Sequence, residues 1–222
     1  MFDASQHAAL RAATADLSWL LSRGYAQPSG VKVVGDRHRL NERQRMAVTR
    51  AACSDDSLRK RSGSRVEAAS LADQAIHIDG YNVLTTIEAA LAGGIILHCR
   101  DDSFRDIASI HGTYRKVEET LPAIQLVGET LEARKVSKAV WLLDSPVSNS
   151  GRLAAILREI ASQHRWNWDV EVVINPDAAL SQSAEIIATA DSVILDRCGR
   201  WFNLARTIVE RAVPNAETVR MS

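Results

Sequence analysis

The sequence lacks the features of a membrane-spanning or secreted chain. Its longest apolar stretches are far shorter than the roughly 20 residues needed to cross a bilayer, and residues 1–10 carry no basic-then-apolar secretion pattern. Cysteine is scarce as well: Cys53, Cys99 and Cys198 are too few and too widely spaced for a disulfide framework or a paired-cysteine zinc site. We therefore expect a cytoplasmic protein that contacts no membrane and whose thiols are buried or idle.

Familiar phosphate-binding motifs are missing too. No Gly-x-Gly-x-x-Gly segment follows a predicted strand and there is no Walker loop, so the usual backbone cradle for a nucleotide is absent. Tyr81 stands two residues after Asp79, where a haloacid-dehalogenase-like phosphatase would have a second aspartate. A function that involves phosphate therefore needs a different kind of site.

Charge is balanced overall but unevenly distributed. The chain has 27 Lys and Arg and 27 Asp and Glu, yet residues 1–70 hold 12 basic against 7 acidic side chains. A basic segment of this kind favours contact with nucleic-acid phosphates, and the candidate residues are Arg37, Arg39, Arg43 and Arg45. The alternative is a solvated helix face on which the arginines pair with Asp36 and Glu42.

Local patterns divide the chain into a basic helical region, residues 1–70, and a main domain, residues 71–222. Apolar residues at helical spacing and capping residues define the helices of the first region, and Pro, Gly and polar runs separate them. The predicted segments are a helix over 4–22, a loop with Pro28, Gly30 and Gly35, a helix from the N-cap Asn41 to about Ala52, and a linker over 54–64.

In the main domain, apolar runs of strand length alternate with helical segments. This alternation is typical of β-α-β units in a parallel sheet, so we expect an α/β fold with a three-layer parallel sheet. The predicted strands are 75–78, 139–143, 170–174 and 192–195, with an edge strand or hairpin at 95–97. The predicted helices are 114–133, 151–164, 183–190 and 201–212.

Acidic residues follow the predicted strands. Asp79, Asp144 and Asp196 each follow an apolar run directly, and Asp177 comes three residues after Ile174. Because the carboxyl ends of parallel strands meet at one edge of a sheet, these carboxylates are expected to converge there. Converging carboxylates raise one another's pKa unless a cation compensates, and oxygen ligands favour Mg²⁺ or Mn²⁺. The alternative is that each aspartate caps the next helix; Asp191 either joins the cluster or caps a turn.

Two further segments carry candidate chemistry. Ser148, Asn149, Ser150 and Arg152 precede or begin a predicted helix, where hydroxyls, backbone N–H groups and a guanidinium can bind phosphate; alternatively one of them is only an N-cap. His111 and Arg115 lie in a polar stretch before a long helix. They are candidates for proton transfer and phosphate contact, or else have a structural role.

Residues 76–84, Ile-His-Ile-Asp-Gly-Tyr-Asn-Val-Leu, resemble the first strand of the PIN-like and NYN ribonuclease superfamily, which often begins with Asp-Gly-x-Asn. The chain as a whole resembles the prokaryotic domain-of-unknown-function 434 family. The matching stretches are Gly35-Asp36-Arg37, Arg43-Gln44-Arg45, Ile110-His-Gly-Thr-Tyr-Arg115 and Pro146-Val-Ser-Asn-Ser-Gly-Arg152.

The PIN-like resemblance implies a Rossmann-like sheet whose strand-end carboxylates bind one or two divalent ions for phosphodiester hydrolysis. In that resemblance Asp79 and Asn82 match the first strand, Asp144 the central strand and Asp196 a late strand. Glu88 or Asp106 is the candidate for the acid that the superfamily usually has on an early helix.

The first functional expectation is a nuclease-like protein that depends on a divalent metal and acts on RNA or another phosphodiester. Its metal ligands would be Asp79, Asp144, Asp191 and Asp196, holding Mg²⁺ or Mn²⁺. The alternatives are a PIN-like protein that binds nucleic acid without cleaving it, and a phosphohydrolase or phosphotransferase acting on a small metabolite. RNA or another nucleic acid is the expected partner, and a homodimer is left open.

Overall fold

A computed structural model of the chain describes residues 2–107 and 117–222. The predicted α/β class is confirmed: helices pack on a parallel five-stranded sheet. The first four helices are α1 (His7–Leu21), α2 (Gln27–Arg37), α3 (Glu42–Ala51) and α4 (Asp55–Ser64). The later helices are α5 (Gly80–Leu91), α6 (Thr120–Ala133), α7 (Ser150–His164), α8 (Pro176–Gln182), α9 (Ser192–Leu195) and α10 (Leu204–Ala212). The strands are β1 (Ala75–Asp79), β2 (Ile96–His98), β3 (Phe104–Asp106), β4 (Lys138–Asp144), β5 (Trp168–Val173), β6 (Ile186–Ala188), β7 (Trp201–Phe202) and β8 (Thr218–Arg220).

The main sheet has the strand order β5-β4-β1-β6-β7, and all its pairings are parallel. Residues alternate between its two faces along each strand. In β4, Trp141 and Leu143 pack into the core that α5, α6, α7 and α10 cover, whereas Val140 and Leu142 pack into a second core with residues of α8 and α9. Helices therefore cover both faces, and the ends of the strands remain as the place for a site.

The N-terminal region confirms two predicted helices and corrects two other predictions. Helix α1 lies within the predicted segment, and α3 begins with a capping box in which Asn41 and Gln44 bond to each other's backbone N–H. The predicted loop and the predicted linker are wrong, because α2 and α4 occupy them. Gly30 and Gly35 both lie within α2, where the side chains of Leu17 and Arg45 pack closely against them.

The end of the main sheet also differs from the prediction. The predicted strand over 192–195 is the short helix α9, and the predicted helix over 183–190 contains β6. The predicted helix over 201–212 begins with β7 before α10. The hairpin near 95–97 is confirmed, since β2 and β3 pair antiparallel.

A second sheet, β3-β2-β8, joins the N-terminal helices to the rest of the molecule. Leu97 of β2 and Val219 of β8 share a buried cluster with residues of α1, α2 and α3, including Leu10 and Val48. The three cysteines are buried and unpaired with one another. None of the helices described here is both long and apolar enough to span a bilayer.

Candidate functional site

A cleft of about 440 Å³ opens at the carboxyl ends of the main-sheet strands. Its acidic lining residues come from the ends of, or the segments after, β1, β4, β5 and β6, together with one from β3. The aspartates that line it are Asp79, Asp106, Asp144, Asp177 and Asp191. The convergence expected from the strand-end pattern is therefore present for Asp79, Asp144 and Asp177.

Asp79 is a buried carboxyl at the end of the central strand of the sheet. It is the last residue of β1, and Thr189 Oγ1 donates a hydrogen bond of 2.8 Å to its Oδ2 atom. Burial, reinforced by the charges of Asp191 and Asp177, raises the pKa of Asp79 to about 7 although the Thr189 hydrogen bond opposes the shift. Near neutral pH this carboxyl is thus present in both its protonated and its ionised form.

The other strand-end acids lie around Asp79. Burial raises the pKa of Asp177 as well, and the charges of Asp191 and Asp144 add to that shift. Asp191 also caps α9, because its Oδ1 accepts hydrogen bonds from the N–H groups of Val193 and Ile194 at 2.8 and 3.2 Å. Both alternatives for Asp191 therefore hold: it caps a turn and it lies in the acidic cluster.

Asp196 lies outside this cluster, contrary to its predicted position at a strand end. It follows α9, and both of its carboxylate oxygens accept hydrogen bonds from Arg61 at 2.7 and 2.8 Å. It does not belong to the cleft lining that the structure describes. The apolar run before Asp196 is helix α9 and not a strand. The nearest preceding strand is β6, and the first acidic residue after β6 is Asp191.

Asn82 and Arg105 hold the turn after β6 from two sides. The Asn82 Oδ1 atom accepts a 2.7 Å hydrogen bond from the N–H of Ala190, and Arg105 Nε donates a 2.6 Å bond to the carbonyl of the same residue. This turn carries both Thr189, which bonds to Asp79, and Asp191. Asn82, which the PIN-like resemblance places at the catalytic site, thus has its side-chain oxygen engaged in fixing the backbone of this turn, and Arg105 was not predicted.

Gly80 of the Asp-Gly-Tyr-Asn segment allows α5 to begin directly against β4. A Cβ atom on Gly80 would lie 2.4 Å from Leu143 Cδ2 and 3.2 Å from the carbonyl oxygen of Leu142. The absence of a side chain there lets β1 turn into α5 at the mouth of the cleft. Close packing against β4 therefore explains why a glycine occupies this position of the Asp-Gly-Tyr-Asn segment.

Arg50 and Asp106 contact each other in the cleft. The pattern of acids after strands does not predict this contact. Arg50 Nη1 donates to the carbonyl oxygen of Asp106 at 2.6 Å and lies 3.4 Å from its Oδ1 atom. Asp106 also accepts from Thr86 at 3.3 Å. Of the two candidates for an additional acid, Asp106 lines the cleft, whereas Glu88 is buried and accepts a 2.6 Å bond from Thr120.

The predicted phosphate-binding segment borders the site without lining it. Asn149 precedes α7 with a left-handed backbone (φ 68°), and Ser150 is buried. Ser148 and Arg152 are exposed, and within the described residues the cleft takes only Asp144 and Val147 from this part of the chain. His111 and Arg115 lie outside the described residues.

Two of the four arginines predicted to contact nucleic acid, Arg37 and Arg45, have acidic partners. Arg37 lies 3.5 Å from Asp16, and Arg45 donates to Asp36 at 2.7 Å and to two backbone carbonyls. Arg39 and Arg43 are exposed. Of these four predicted nucleic-acid contacts, none belongs to the described lining of the cleft.

Carboxylate oxygens are the ligands that Mg²⁺ and Mn²⁺ accept most readily. Nevertheless, no group of three or more His, Cys, Asp and Glu residues in the described chain is arranged to hold a metal ion. Mg²⁺ in proteins commonly uses one or two carboxylates and keeps several waters, so the donor set fits a cation held by fewer protein ligands. Among the cleft acids, Asp79, Asp144 and Asp191 are the predicted ligands that remain available for this.

Comparison with known proteins assigns the family. A family model described as "Domain of unknown function (DUF5616)" matches residues 68–207, more than half of the chain. The chain belongs to the DUF5616 family. A second model, described as "Protein of unknown function (DUF434)", matches residues 9–63, which confirms the resemblance to that family for the N-terminal segment but not for the whole chain. The uncharacterised protein MJ0935 of Methanocaldococcus jannaschii is 33% identical over 180 residues, which cover 81% of this chain and 86% of that protein. No solved structure matches.

In this DUF5616 protein the cleft draws on both matched segments. The five aspartates of the cleft lie within residues 68–207, whereas Arg50 lies within residues 9–63. The N-terminal segment therefore contributes a residue to the lining of the cleft.

Proposed function

We propose that this DUF5616 protein is a divalent-metal-dependent, nuclease-like enzyme that acts on RNA or another phosphodiester. The observation that carries the proposal is the cluster of strand-end aspartates in one cleft, in which burial, together with mutual repulsion, raises the pKa of Asp79 and Asp177. Such a cluster is costly to keep in a fold unless a cation or protons compensate the charge.

A PIN-like relationship is part of the proposal. It is supported by the Asp79-Gly-Tyr-Asn82 segment, by the central place of β1 in the parallel sheet, and by acids after the neighbouring strands. The role that the resemblance gave to Asp196 passes to Asp191, because Asp191 follows β6, the neighbour of β1.

The carboxylates of the cleft would have different roles in the reaction. When bound, Mg²⁺ or Mn²⁺ would supply charge stabilisation at a phosphate oxygen and a more acidic water. One or two of the carboxylates of Asp79, Asp144 and Asp191 would hold it, and the Asp79 carboxyl, if it is among them, would release its proton as the cation is taken up. Asp177, whose pKa is also raised, is the candidate to accept a proton from the attacking water.

The test compares cleavage of fluorescent RNA and DNA oligonucleotides in Mn²⁺ and in chelator. We expect cleavage in Mn²⁺ only, reduced at least about 100-fold in Asp79→Asn, because the group acts directly on the reacting centre. Asp169→Asn is the matched control, since Asp169 lies on β5 and pairs with Lys138 outside the described cleft lining. Cleavage that persists in chelator or in Asp79→Asn would refute the metal-nuclease proposal.

The same assay separates the remaining alternatives. RNA that is bound but never cut in Mn²⁺ would favour a non-catalytic nucleic-acid-binding protein. Hydrolysis of a phosphomonoester such as p-nitrophenyl phosphate, lost in Arg152→Ala and without cleavage of oligonucleotides, would favour an enzyme acting on a small metabolite.

A further inference from the structure

Arg50 brings a positive charge from the N-terminal helices into the acidic cleft. It lies in the last turn of α3, and its side chain is 31% exposed. Arg105, the other arginine of the described lining, is only 9% exposed and donates to the carbonyls of Ala190 and Arg50 and to Asp101. Of these two guanidinium groups, Arg50 is therefore the one that a ligand can reach.

The structure holds Arg50 in place without burying it. Its backbone carbonyl accepts a hydrogen bond from Arg105, which fixes the end of α3 at the cleft. Its guanidinium donates a 2.6 Å bond to the Asp106 carbonyl, and this contact orients the group. The contact with the Asp106 carboxylate is 3.4 Å, long for a charge-assisted hydrogen bond.

The charge of the cleft makes such a group necessary for an anionic substrate. Five aspartates repel a phosphodiester, and a cation at the strand ends offsets only part of that repulsion. A guanidinium matches the geometry of phosphate oxygens and keeps its charge at all relevant pH values. We propose that Arg50 binds a non-bridging phosphate oxygen of a nucleic-acid backbone in this cleft, an inference that rests on the proposed function.

The experiment measures binding of a short fluorescent RNA in Ca²⁺ over a series of salt concentrations. Arg50→Ala is expected to weaken binding about 10-fold to 100-fold, and to reduce the slope of log K against log salt by about 0.7, the value for one phosphate contact on a single strand. Arg50→Lys should keep the slope with a smaller loss of affinity. A fold defect alone does not change this slope, and thermal unfolding of each variant checks the fold.

Two further variants complete the design. Arg11→Ala removes an exposed arginine of α1 and should leave affinity almost unchanged. Asp106→Asn removes the competing carboxylate and should strengthen binding several-fold.

An unchanged salt slope in Arg50→Ala, or a reduced slope in Arg43→Ala instead, would overturn the assignment even if Mn²⁺-dependent cleavage is intact. Absence of saturable RNA binding by the wild type would overturn this inference, whereas the proposed function is decided separately by the Mn²⁺-dependent cleavage of RNA and DNA oligonucleotides.

Inorganic phosphate is added as a competitor in a parallel series, because a guanidinium site also accepts free phosphate. If phosphate displaces the RNA only at concentrations far above that of the RNA, the result supports the phosphodiester backbone of the RNA as the ligand. Displacement at comparable concentrations would contradict that source and point to free phosphate.

Discussion

Asp79 is a carboxyl group that folding makes less acidic. Its position at the end of a central strand, beside other acids, is suited to chemistry and poorly suited to stability. In the folded state the Asp79 proton is held more tightly than in the unfolded chain. The free energy of unfolding therefore decreases as the pH rises from about 4 towards 7, and this contribution is constant above that range.

Asp79→Asn should remove this cost. The variant is expected to be more stable than the wild type at pH 8, by up to about 4 kcal/mol since one pKa unit corresponds to about 1.4 kcal/mol, and nearly equal to it at pH 4. An asparagine oxygen can still accept the Thr189 hydrogen bond. Urea unfolding between pH 4 and 8, in buffer with chelator, measures the difference.

Asp102→Asn gives a control of opposite sign. Burial tends to raise the pKa of Asp102, but hydrogen bonds from His98, Arg206 and Arg65 lower it to about 2. Its contribution to stability is present above the ordinary aspartate pKa and is lost as the pH falls, so the variant should be less stable than the wild type at pH 7. If both variants shift stability in the same direction at neutral pH, the account of Asp79 is wrong.

At the scale of elements, the sequence correctly predicted the helices and strands that have a clear pattern of apolar residues within the segment itself. The β1 and β4 strands are mainly apolar and each ends in an aspartate, so Asp79 and Asp144 could be placed at the site from the sequence alone. The strand β6 has only three residues, and the apolar residues of α9 have no period long enough to distinguish a strand from a helix. The late-strand acid was therefore assigned to Asp196 in place of Asp191.

Contacts between distant segments explain the other differences. Gly30 and Gly35 indicated a loop, but they lie within α2, where Leu17 and Arg45 pack closely against them. Likewise Arg50 meets the cleft through Asp106, a partner far along the chain, and no spacing in the sequence shows that pairing. Tertiary packing of this kind overrides local propensity.

Helix α6 illustrates the same effect at Gly128. A Cβ atom there would lie 2.0 Å from two carbon atoms of the Trp166 ring. Gly128→Ala should destabilise the protein by about 1–3 kcal/mol, because overpacking outweighs the gain of up to about 1 kcal/mol in helix propensity. Gly151→Ala in α7, where no atom lies within 4 Å of the added Cβ, should instead stabilise it by about 0.5–1 kcal/mol. Thermal unfolding of the two variants should show shifts of opposite sign.

At the scale of the whole molecule, a buried ionic network fastens α4 to the α/β core. Arg61 donates to Asp101 at 2.6 Å and to both oxygens of Asp196, and Arg105 donates to Asp101 at 2.7 Å. Burial opposes ionisation of Asp101, but the two guanidinium groups hold its pKa well below its usual range. The basic residue Arg61 is thus a structural residue of the assembled fold.

Arg61→Met should lower the free energy of unfolding by up to about 3 kcal/mol, because it breaks a buried pair, although Asp101 keeps its bond to Arg105 and Asp196 is partly exposed. Arg59→Met on the same helix removes only an exposed pair with Asp56 and should change stability by less than about 1 kcal/mol. Urea unfolding at pH 7 compares them. Equal effects of the two substitutions would contradict a structural role for Arg61.

The second sheet determines the order in which the molecule can be completed. Leu10 of α1 and Val48 of α3 share their buried cluster with Val219 and Met221. During synthesis, helices α1 to α3 emerge first but cannot bury this shared face until the entire intervening α/β unit and β8 have been made. The N-terminal region, unlike a domain that folds as it leaves the ribosome, must therefore keep apolar surface exposed until translation has passed β8.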